Sequence, residues 1–224
     1  MIFFNTFRLL DVATGTADLA IEAARQHPEV GVAGIDFVRE MLAAGQRKIT
    51  TRGLTERIRL LQADAMALPF PDGSFDAAGI AFGIRNMADR PAALREMRRI
   101  LVPGGRVYIL EMNAPGNRLR RGIFAPYLKH ILPGIVRLFS RNPAAYRYLV
   151  DSILHFPAPP AFLALMEEAG FRDMERHSLT LGITSLYIGS RAKDGCSERD
   201  PDLDRGDKTC HNADECAAPE FRRI

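Results

Sequence analysis

The chain has 224 residues, 47% hydrophobic and 25% charged, with a formal net charge of +3. That composition suits one globular domain with a sizeable core, and the charge is too small to imply a nucleic-acid partner. No apolar run approaches the roughly 18 residues of a spanning helix, so none is expected.

The start, MIFFNTFRLLDVA, lacks the n-region and cleavage site of a signal peptide and leads into a first strand over 8–13. A small-residue turn follows in LDVATGTAD (10–18), then a helix over 17–27. GVAGID (31–36) is strand two, 38–51 a helix, and RIRLLQAD (57–64) strand three. FDAAGIAF (75–82) is strand four, and the helix over 90–101 sets Leu94, Met97 and Leu101 on one face. Gly104 and Gly105 turn the chain into strand five, RVYILEM (106–112). Alternating strands and helices with short links predict an α/β, doubly wound, Rossmann-like parallel sheet. The stretches 171–179 and 183–191 are strands joined by so short a link that only an antiparallel pair fits, giving a late hairpin.

The turn after strand one carries the first chemical signal. A dinucleotide fingerprint needs three glycines where pyrophosphate meets backbone and helix N-terminus. Here only Gly15 is glycine, flanked by Ala13 and Ala17. One glycine suffices for an adenosine or amino-acid group without phosphate, which points to S-adenosylmethionine. Its sulfonium and ammonium favour carboxylates. Asp11 at the first strand end is expected to serve that end of the ligand. Asp36 at the tip of strand two is expected to accept the ribose hydroxyls.

The segment 113–157 interrupts the pattern with Pro115, Pro126, Pro133 and Pro143, and reads as a lid over the strand ends. From Gly116 to Val150 it has no acidic residue but carries Arg118, Arg120, Arg121, Lys129, Arg137, Arg141 and Arg147. Basic residues among aliphatic and aromatic ones over 117–147 suit peripheral contact with an anionic membrane; a solvated lid face is the alternative. Residues 193–224 carry six basic and nine acidic side chains without apolar periodicity and are expected to be disordered. All three cysteines, Cys196, Cys210 and Cys216, fall there, which suits a reducing, cytoplasmic setting. Cys210, His211 and Cys216 lack paired ligand spacing, so no metal is expected.

Several segments together resemble the ubiquinone/menaquinone biosynthesis C-methyltransferases: DVATGTAD, GID, ADAMALPFPDGSFD, FGIRN, LVPGGRVYILE, AAYRYLVDSI and MEEAGF. The resemblance covers roughly residues 8–192 and implies the class I methyltransferase form of the sheet, over a domain of 1–192. It implies S-adenosylmethionine as cofactor, held by Thr16, Asp36, and Asp64 with Ala65 at the adenine. A family serine preceding FG is Ala81 here, a contact without its hydroxyl. The implied reaction moves a methyl group to a ring carbon of a demethylated, prenylated quinol. The DVATGTAD form favours demethylmenaquinol; another lipophilic small molecule is the alternative. Arg85 and Asn86 follow strand four, so Arg85 is expected to stabilise a phenolate or polarise a water and Asn86 to orient it. Tyr146, Arg147 and Tyr148 are candidates to line the quinone pocket, and 123–139 to receive the prenyl tail. His155 and His177 read as structural. The family also carries an N-terminal segment with a YD-x-x-N motif and a tryptophan. Strand one begins close to Met1 and the chain has no Trp, so it reads as shortened in front, with a folded but inactive remnant as a further alternative. The oligomeric state is left open. Nucleic-acid methylation is not expected, because no N/D-P-P-Y/F motif occurs.

Overall fold

The structure is a computed structural model, described here for residues 7–113, 148 and 151–193. Seven strands form one sheet: β1 (Phe7–Val12), β2 (Val30–Asp36), β3 (Ile58–Gln62), β4 (Phe75–Ala81), β5 (Leu101–Met112), β6 (Phe171–Leu179) and β7 (Thr184–Arg191). Their order is β3-β2-β1-β4-β5-β7-β6. The first five are mutually parallel, and β7 runs antiparallel to both β5 and β6. This is the class I methyltransferase sheet expected from the sequence, late hairpin included.

Helices α1 (Asp18–Gln26), α2 (Arg39–Thr51), α3 (Arg90–Ile100) and α4 (Pro159–Glu168) accompany the strands. Strand β2 is buried along nearly its whole length, as a strand covered on both faces must be. Alternate residues of β1 and β2 therefore serve two cores. Ile21, Ala24, Val30, Val32, Ile49 and Ile58 form one beneath α1 and α2. Leu10, Val12, Ile35, Ile80, Leu94, Met97, Phe162 and Tyr187 belong to the other, beneath α3 and α4.

Three boundaries differ most from the sequence reading. Helix α3 ends at Ile100, not 101, and Leu101 is already extended and paired with Phe75. Pro103 is the cause: it disfavours helical backbone just before it. Ile100 joins Leu94 and Met97 on the buried face. The Gly104-Gly105 pair is not an open turn but a register shift within a continuous β5. A side chain at Gly105 would lie 2.9 Å from the Val102 carbonyl oxygen and 3.0 Å from that of Asp76, so backbone fills that space. Strand three is shorter than 57–64, ending at Gln62 and leaving Asp64 in a loop.

Arg99 and Arg191 tie these parts together. Arg99 bonds Glu96, Asp72 and the carbonyl oxygens of Leu68 and Phe70, fastening the loop after β3 to α3. Arg191 donates to the carbonyl oxygens of Arg99 and Leu101, joining β7 to the end of α3. Among the described residues no helix is long and apolar enough to cross a membrane. The basic stretch 117–147, the 123–139 groove and the 193–224 tail lie outside the described residues, apart from Lys193.

Candidate functional site

The strand order reverses between β1 and β4, whose carboxyl ends diverge there, the usual ligand position in such sheets. A cavity of about 560 Å³ opens at that point. Its walls come from the turn after β1 (Ala13, Gly15), the end of β2 (Ile35 to Val38) and the start of α2 (Met41). The loop after β3 adds Ala63 to Met66, and the end of β4 adds Ala81, Phe82, Gly83, Asn86, Met87 and Ala88.

The turn after β1 is built from left-handed residues: Ala13 (φ 53°), Gly15 (φ 56°) and Ala17 (φ 63°). Asp36 organises it. Its Oδ2 accepts from the Gly15 backbone NH at 2.8 Å and its Oδ1 from the Val38 NH at 2.9 Å. Asp36 thus holds the glycine turn and the α2 entrance together while remaining on the cavity wall. Asp64 and Ala65 lie on that wall as well, with Asp64 Oδ1 accepting from the Met66 NH at 2.9 Å. Ala81, at the end of β4, lines it too.

Asp11 and Thr16 are placed otherwise. Asp11 is buried beneath the turn and does not line the cavity. The Thr14 hydroxyl donates to its Oδ2 at 2.5 Å. Burial raises the Asp11 carboxyl from 3.8 to about 7, against the Thr14 and Ala20 hydrogen bonds that lower it. Asp11, expected to serve a ligand's cationic end, is thus placed as an internal support of the turn. Thr16 faces α2. Its hydroxyl accepts from Lys48 Nζ at 2.7 Å and donates to Asp18 at 2.8 Å. The Lys48 hydrogen bond also holds Asp18 below its ordinary range.

Arg85 and Asn86 part company. They belong to a 3-10 turn, Ile84–Asn86, directly after β4. Asn86 lines the cavity. Arg85 does not; Glu111 on β5 takes its guanidinium, Nη1 to Oε1, at 2.6 Å. Glu111 also accepts from the backbone NH groups of Arg85 (3.2 Å) and Met112 (2.8 Å). Arg90 closes the arrangement by donating to the Arg85 carbonyl oxygen at 2.9 Å. Direct phenolate contact by Arg85 is not supported, because its charge is spent inside the protein. Glu111 was overlooked in the sequence, although a carboxylate inside the apolar run VYILEM was a visible signal.

Of the three substrate candidates, Tyr146 and Arg147 lie outside the described residues. Tyr148 is exposed, and its hydroxyl donates to Asn86 Oδ1 at 3.1 Å. His155 and His177 bond locally, to the Asp151 carbonyl oxygen and to Glu175. Phe37, Val38, Met41 and Phe82, all exposed apolar residues of the cavity wall, were not anticipated. An exposed hydrophobe has no signature in a sequence until its neighbours are known.

Among the described residues the wall carries two carboxylates, Asp36 and Asp64, and no lysine or arginine. Two carboxylates on the wall favour a cationic ligand. The residues therefore fit S-adenosylmethionine, with apolar surface for its adenine.

A family model described as the ubiE/COQ5 methyltransferase family matches residues 4–191. The ubiquinone/menaquinone biosynthesis C-methyltransferase of Geobacter sulfurreducens is 47% identical over 185 residues, spanning 82% of this chain and 72% of that protein. The demethylmenaquinone methyltransferase of Thermus thermophilus is 46% identical over 184 residues, 82% of each chain. Among solved structures, an S-adenosylmethionine-dependent methyltransferase from Aquifex aeolicus shares the fold at TM-score 0.60 and 16% identity, covering 83% of this chain and 82% of that one. Haemonchus contortus phosphoethanolamine N-methyltransferase 2 does so at TM-score 0.65 and 16% identity, over 86% of this chain and 50% of that one.

Proposed function

The chain belongs to the ubiE/COQ5 methyltransferase family, the S-adenosylmethionine-dependent C-methyltransferases of quinone biosynthesis, and on that premise we propose that its substrate is demethylmenaquinol. The observation that carries the substrate reading is the match to the Thermus demethylmenaquinone methyltransferase along 82% of both chains.

Bound S-adenosylmethionine supplies the methyl group. The methyl group would pass to the ring carbon as its bond to sulfur breaks and S-adenosylhomocysteine leaves. The phenolic proton would go to water. The hydrogen on the methylated ring carbon would then leave as a proton while the oxygen regains one and the ring becomes aromatic again. The chain's own residues contribute placement. Asp36, fixed by the Gly15 and Val38 NH groups, accepts the ribose hydroxyls. Asp64 and the Ala65 NH would hold the adenine edge, with Val38 and Met41 supplying apolar wall nearby. Ala81 adds only backbone and a methyl group. Asn86 holds the quinol oxygen through its amide nitrogen, oriented by the Tyr148 hydroxyl on its Oδ1. Arg85 is a positioning residue: its pairing with Glu111 fixes the turn from which Asn86 projects.

The test is direct. Methyl-labelled S-adenosylmethionine is supplied with a reduced short-chain demethylnaphthoquinone or with a reduced benzoquinone precursor of the ubiquinone type. Label is expected in the naphthoquinol. Preferential labelling of the benzoquinol would move the substrate to the ubiquinone branch, and no label in either would remove the quinol reading.

A further inference from the structure

We infer that Phe82 is the platform on which the flat ring of the substrate stacks, an inference that rests on the quinol reading and assigns a residue to ring recognition.

The backbone is the first observation. Phe82 has φ of 57°, left-handed space that a bulky aromatic residue rarely adopts. Glycine would take this conformation without strain. The strained peptide is held from both sides. The Phe82 NH donates to the Leu110 carbonyl oxygen at 2.8 Å, and Gly83 behind it is packed against Ala13 and Ile80 with no room for a side chain.

Burial is the second observation. Core packing does not explain a phenylalanine here, because Phe82 is 40% exposed and belongs to neither core. Phe82 lines the cavity instead, just past the end of β4, with β1 between it and the β2 end that carries Asp36. The Arg85 guanidinium, anchored by Glu111, sits 6.0 Å from the ring centroid and steadies it from within the protein. Asn86 faces the same cavity from the same turn. One short segment therefore presents an aromatic face and a hydrogen-bond donor together, the two features that a hydroxylated aromatic ring needs. Strain kept at an exposed, cavity-facing aromatic is what a binding role leaves behind.

Phe82→Gly and Phe82→Tyr test this, with 1,4-naphthalenediol as the ring probe, titrated calorimetrically under reducing conditions with S-adenosylhomocysteine saturating. The glycine variant is expected to melt close to the wild-type temperature, since glycine accepts the left-handed backbone. Its affinity for S-adenosylhomocysteine stays within about twofold, while its affinity for the diol falls roughly tenfold. Phe82→Tyr restores diol binding. The inference is overturned if wild type does not bind the diol, or if the glycine variant binds it equally well. It is also overturned if the loss falls on S-adenosylhomocysteine, which would make Phe82 a cofactor contact, or if the glycine variant melts far lower, which would make it a packing residue. Diol binding that depends on Phe82, in a protein that does not methylate demethylmenaquinol, supports the platform and counts only against the quinol reading.

Discussion

Arg85 Nη1 stands 2.6 Å from Glu111 Oε1, with the guanidinium 10% exposed and the carboxylate fully buried. Two opposite charges have been taken out of water beside the cavity, one from the turn after β4 and one from the adjacent strand. Desolvation of each is offset only while the other is present.

Arg85→Ala should therefore cost far more than an ordinary surface change, about 3–5 kcal/mol in urea unfolding, because it strands Glu111. An Arg85→Met/Glu111→Leu double variant should recover most of that loss. Turnover should stay impaired in the double variant, since Glu111 also holds the Arg85 backbone NH. A double variant that is as unstable as Arg85→Ala would show that charge pairing is not what the site depends on.

Asp11 gives stability a pH dependence. The native state keeps its proton up to about 7, against 3.8 for the ordinary carboxyl. The resulting stabilisation is complete below the unfolded value and declines as pH rises from about 4 to about 7, by at most about 1.4 kcal/mol per unit. Asp11→Asn is neutral throughout. Urea melts between these limits should show wild type losing stability relative to Asp11→Asn as pH rises, with the difference levelling off above 7. Parallel curves for the two proteins would contradict the burial argument.

Removing Asp36 should act on cofactor affinity more than on folding. Asp36→Ala releases the Gly15 and Val38 NH groups and deletes a carboxylate from the wall. Calorimetric titration with S-adenosylmethionine should show about a tenfold or greater loss, with Asp36→Asn in between. Equal affinity in the alanine variant would place the ribose elsewhere.

Gly83→Ala separates steric from conformational glycines. A methyl group there would meet the Ala13 Cβ at 2.7 Å and the Ile80 side chain at 3.1 Å. Thermal melts should show destabilisation of about 1–3 kcal/mol. Gly53→Ala, whose site is open but whose φ is +67°, should cost about 1 kcal/mol through backbone conformation alone. Only the Gly83 change should also weaken cofactor binding, because Ala13 lines the cavity.

What could be read in the sequence was what local pattern determines. Asp36 at the end of β2 follows from alternation and turn chemistry, Asp64 and Ala81 follow from the family resemblance, and all three residues line one cavity. What could not be read were directions set by distant partners. Arg85 turns inward because of Glu111, 26 positions later. Thr16 turns toward α2 because of Lys48, 32 positions later. Asp11 lies beneath the turn rather than on it, a matter of depth that a strand-end position does not fix. Phe82 shows the same limit in backbone form, since nothing in AFGIRN declares a left-handed phenylalanine.

The carboxylate that Asp36 presents on the cavity wall has a consequence for selectivity in a mixture of adenosine compounds. Compounds that share the base but carry a phosphate on the ribose hydroxyls would set that charge against the carboxylate that accepts those hydroxyls. Like charges facing each other across a cavity of low polarity discriminate by repulsion, without any contact dedicated to exclusion. One aspartate would thus do double duty, holding the ribose that fits and turning away its phosphorylated look-alikes.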